Sequence, residues 1–70
     1  MQVYNSETLA NKNVLLSKDR RPPDKLEVLE DRIVVYSRDE ILEIPINSMR
    51  AKALLDRLSY GGELTQEIYI

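Results

Sequence analysis

Positions 26–58 constrain this chain more than any other stretch, because they read as three short strands followed at once by an amphipathic helix. Ile33, Val34, Val35 and Tyr36 are consecutive apolar residues, each β-branched or aromatic, which places the strand RIVVY in the middle of a sheet with both faces covered. LEVL precedes it and ILEIPI follows, with Glu30-Asp31 and Ser37–Glu40 as the reversals. In the third strand Leu42, Ile44 and Ile46 share one face, and Glu43 and Pro45 share the other. A proline cannot donate to a ladder, so Pro45 puts this strand at an edge or turns its own amide position outward. The pattern is an antiparallel meander with one face ready to be covered.

The cover is the helix that follows. Asn47 or Ser48 supplies its cap and Gly61-Gly62 its stop. At 100° per residue, Ala51, Leu54, Leu55 and Leu58 form one stripe, which is expected to pack on Leu42, Ile44 and Ile46. The fold class this implies is α+β: a small antiparallel β-sheet of three to five strands with one amphipathic helix (about 48–60) packed on one face. Seventy residues make a single small domain, 1–70, with a core near the lower limit of self-sufficiency.

The flanking segments carry weaker signals. Met1–Tyr4 is either an edge strand or a frayed terminus, and Asn5 or Ser6 caps a short helix running to Lys12. Positions 13–17 have strand composition, with Val14 and Leu16 on one face and Leu15 on the other. KDRRPPDK, positions 18–25, is a basic, proline-stiffened loop expected to lie exposed. The final ELTQEIYI alternates again and is expected to return to the sheet beside an inner strand, or else to add to a sheet in another molecule.

Composition narrows the chemistry. With no histidine and no cysteine, the chain has no imidazole base, thiol nucleophile, disulfide or Cys/His zinc site. Its two glycines are adjacent and follow a helix, unlike the spaced glycines that cradle a phosphate. The acids fall at reversals or on outward strand positions, which is where ordinary surface charge sits. The expectation is therefore no enzyme, no cofactor and no metal.

No run is apolar for long enough to cross a bilayer, and MQVYNSETL has neither the basic start nor the apolar stretch of a secretory signal. A cytoplasmic protein without membrane association is the default expectation. A small core without disulfides or metal favours reinforcement by a second chain. The function expected is thus that of a small protein-binding domain, regulatory or adaptor in kind, with a homodimer as one form. Its candidate contacts are Met49, Ala53 and Tyr60 on the outward side of the helix, Arg50 and Arg57 beside them, and Arg20 and Arg21 in the loop. The alternative is a nucleic-acid-binding module using the Arg20-Arg21 loop and the basic helix edge. Against it stand a sequence pI near 5.0 and an acidic strand block.

Overall fold

The computed structural model describes residues 1–62 and 65–70; Glu63 and Leu64, the start of the last alternating stretch, lie outside the described residues. The meander forms as its alternation dictates: β3 (Lys25–Val28), β4 (Arg32–Tyr36) and β5 (Ile41–Pro45) pair antiparallel in sequence order. The N-terminal segment supplies a strand, β1 (Gln2–Asn5), antiparallel to β3, so the sheet order is β1-β3-β4-β5. β4 is therefore an inner strand and β5 an edge. Both reversals are closed by backbone bonds, Leu29 N–H to Arg32 C=O at 2.8 Å and Ser37 N–H to Glu40 C=O at 2.9 Å. Neither turn uses a left-handed residue.

The side-chain period of two then sorts the sheet's faces. Leu26, Ile33, Val35 and Ile44 point inward and are buried in the core cluster, with Tyr4, Val28, Leu42 and Ile46 packed at its margin. Val34 points to the opposite face and is still only 5% exposed. Its cover there comes from its own sheet. Glu27 and Glu43 flank it in register, and the Tyr36 hydroxyl donates to Glu27 Oε1 at 2.8 Å. The Lys25 ammonium lies 4.4 Å from the Tyr36 ring centroid, and Arg32 lies 3.9 Å from Glu43.

The main helix follows directly from β5, and Ser48 is its cap, accepting from the Ala51 N–H at 3.2 Å. The helix spans Met49–Ser59 and buries Ala51, Leu54 and Leu58, with Leu55 half-buried beside them, against the inner face of the sheet. Burial of each leucine contributes on the order of 1.5–3 kcal/mol. The stop differs from the expectation. Neither glycine is left-handed; the chain leaves the helix at Tyr60 in an extended conformation, φ −72° and ψ 124°. The Lys12 ammonium donates to the Tyr60 carbonyl at 2.8 Å and so takes over the role of a cap. Gly62 serves Tyr60 in another way: a Cβ there would meet the tyrosine Oη at 2.9 Å.

A short helix, α1 (Ser6–Asn11), starts on the Asn5 cap, whose Oδ1 accepts from the Thr8 N–H at 2.9 Å, and buries Leu9; the main helix is α2. Asn13, at φ 56°, then takes the left-handed conformation that turns the chain into β2 (Val14–Leu15). The loop after β2 departs from a fully exposed connector. Pro23 is fully buried, and Lys25 already belongs to β3. The tail also departs from the expectation. β6 (Ile68–Tyr69) stays within the chain but pairs parallel with β2 in a separate two-stranded sheet, not beside an inner strand of the main one. β3 and β4 already pair with a strand on each side and offer the tail no open edge, whereas β2 pairs with no strand of the main sheet.

Candidate binding groove

Around the axis of α2, Arg50 and Arg57 stand only about 20° apart, at the margin of the buried stripe, and Ala53, Tyr60 and Met49 follow in turn toward solvent. Both arginines reach the C-terminal segment. Arg50 Nη1 donates to the Tyr69 carbonyl at 2.6 Å. Arg57 Nη1 donates to the Gln66 carbonyl and, at 3.2 Å, to that of Lys12. A guanidinium offers several donors in a fixed fork, which allows one side chain to tie two segments.

The opposite wall is the β2 backbone. Ile68 N–H donates to Asn13 C=O at 2.9 Å and Ile70 N–H to Leu15 C=O at 2.9 Å. Ser17 returns two bonds to the Ile70 carbonyl, from its N–H at 3.1 Å and its hydroxyl at 2.9 Å. These bonds all end on main-chain atoms of the segment. Its apolar side chains, Ile68 and Ile70, rest half-buried on the edge of the core. The result is a groove between β2 and α2 that grips an extended strand by its backbone and accepts aliphatic side chains at alternate positions.

The candidate residues thus divide. Arg50 and Arg57 come together on the groove. Met49 is 87% exposed and Tyr60 45%, and Ala53 lies between them, also exposed. Arg20 and Arg21 lie elsewhere, in the loop before β3. Arg21 is held by Asp19 at 3.0 Å, and Arg20, left-handed at φ 55°, makes no ion pair among the described residues. The sequence reading passed over Ser17, Lys12 and the β2 carbonyls. Backbone acceptors leave no mark in a sequence, although a strand-like segment with no assigned neighbour was a signal that some edge had to receive it.

A second concavity, of about 210 Å³, opens between the loop before β3 and the β4–β5 turn. Lys18 crosses it to Asp39 at 2.6 Å. That hydrogen bond, and then the opposite charge, holds the Asp39 carboxyl below its ordinary range and raises the Lys18 ammonium above its own. Elsewhere, the Tyr36 phenol is raised chiefly by its bond to Glu27, and the Tyr69 phenol chiefly by burial. Among the described residues no cluster of three acidic, histidine or cysteine side chains is placed to hold a metal ion, and no helix is long and apolar enough to cross a membrane. No model of a known protein family matches the chain, and neither curated proteins nor solved structures provide a match to it.

Proposed function

We propose that this protein is a small non-catalytic protein-binding domain that captures an extended segment of a partner by strand addition along β2. The observation that supports this reading is the way the groove holds its present occupant. Arg50, Arg57, Ser17 and the β2 ladder all bond main-chain atoms, so any extended segment with aliphatic residues two apart meets the same donors and acceptors. Strand addition has this character generally: main-chain bonds give affinity and alternate side chains give selectivity. The exposed Met49, Ala53 and Tyr60 flank the arginines and add area for a longer partner. The nucleic-acid alternative draws less support, since Lys18, Arg21, Arg50 and Arg57 each bond an acid or carbonyl of the chain itself.

The test weakens the native occupant without touching the walls. In the full chain, Ile68→Asp with Ile70→Asp places two charges on the apolar floor of the groove. A labelled peptide of residues 65–70 should then bind this variant at least about tenfold tighter than it binds wild type, whose own tail competes at an effective concentration near millimolar. Fluorescence anisotropy reads the binding, and the dispersion of the amide NMR spectrum confirms the fold. Ile70→Asp alone serves if the double variant unfolds. A folded variant that ignores the peptide would end the proposal.

A further inference from the structure

Resting on that reading of the groove, we infer that the partner segment is the C-terminal strand of a second copy, so that two chains exchange residues 65–70 reciprocally. The groove already fits this sequence. Each main-chain bond from Arg50, Arg57, Ser17 and β2, and the seats of Ile68 and Ile70, are satisfied identically whether the strand arrives from its own chain or from another. The occupant whose complementarity the structure shows is this chain's own C-terminal strand. The strand's ladder with β2 covers only two residues, and its side chains are half-buried at most.

Four residues, 61–64, join Tyr60 to the exchanged strand, a contour of at most about 13 Å, and they begin with Gly61, where an added Cβ would meet nothing within 4 Å. The exchange is isologous, each copy giving and receiving the same strand, so it closes at two chains and does not propagate. Within one chain the effective concentration of the tail is of order millimolar for a short connection. The closed monomer therefore dominates at micromolar concentration, and the dimer gains as concentration rises or as the closed form is weakened.

A complementation experiment decides the matter. The Ile68→Asp/Ile70→Asp chain keeps a sound groove and carries a defective strand; an Arg50→Ala/Arg57→Ala chain keeps a sound strand and carries a defective groove. Each alone should be monomeric by light scattering, and their equimolar mixture at about 100 µM should form a one-to-one heterodimer, identified by native mass spectrometry. Should the double arginine variant fail to fold, Arg50→Ala alone replaces it. A mixture that stays monomeric, while the 65–70 peptide still binds the Ile68→Asp/Ile70→Asp chain, overturns the exchange and leaves the groove reading standing. Failure of the peptide as well overturns both. A dimer formed equally by either variant on its own would place the association on another surface and also overturns the exchange.

Discussion

Single residues in this chain are chosen for their backbone as much as for their side chains, and Asn13 is the clearest case. Its φ of 56° carries the chain from α1 into β2, and it places the Asn13 carbonyl where Ile68 can donate to it. L-residues pay about 1–2 kcal/mol for this conformation, asparagine less than most and β-branched residues more. Asn13→Gly and Asn13→Val both lose the carboxamide, so the difference between them reads the left-handed backbone preference, offset in part by the greater unfolded-state freedom of glycine. The valine variant should be less stable than the glycine variant by at least about 1–2 kcal/mol in urea denaturation, and equal stabilities would contradict the left-handed assignment. Pro45 was legible from the sequence for the complementary reason. Its missing N–H had to point away from a ladder, and it does. Asn13 was not legible in the same way, because a left-handed asparagine leaves only a weak trace beside the many asparagines that are simply polar.

At the level of elements, the hydrogen-bond phase of the sheet explains which edge positions tolerate change. Ser37 N–H bonds Glu40 C=O and Ile46 N–H bonds Asp31 C=O at 3.0 Å. Antiparallel phase alternates, so Leu42 and Ile44 bond to β4, while Ile41, Glu43 and Pro45 direct their backbone outward. The Pro45 carbonyl, also outward, is taken by Ser48, through its N–H at 3.1 Å and its hydroxyl at 2.7 Å. The cap of α2 thereby closes this end of the edge. Ile41→Pro should leave the intrachain ladder intact, whereas Leu42→Pro removes a ladder bond and strands a carbonyl of β4, costing about 1–3 kcal/mol beyond any packing loss. Thermal melts of the two variants compare them directly, and a Leu42→Pro protein as stable as Ile41→Pro would reverse the assigned phase. The helix obeyed its sequence closely, from the Ser48 cap to the Ala51, Leu54 and Leu58 stripe. Its C-terminal end did not. The glycines promised a left-handed stop, but a lysine from the far end of the chain, Lys12, provides the closing contact.

For the whole molecule, stability rests on one core that gathers Leu9, Val14 and Leu16 from the N-terminal half with Leu54 and Leu58 of α2. Leu54 is fully buried, and Leu54→Ala should cost about 2–5 kcal/mol. For a domain of this size that is a large fraction of the total. Circular dichroism at 25 °C should show a chain at the edge of unfolding; a variant that melts within a few degrees of wild type would mean the core is better reinforced than its size allows. The sequence by itself determined the meander, the order of its strands, the face each presents and the helix that covers it. Those features follow from periods of two and 3.6 residues and from chain neighbours that must pair with short turns between them. Only the tertiary structure decided where the tail docks, that Pro23 is buried, and that Arg50 and Arg57 hold a strand. Those outcomes depend on which backbone groups the finished sheet leaves unpaired and on which distant segments the closed core brings within reach, and no local pattern encodes either.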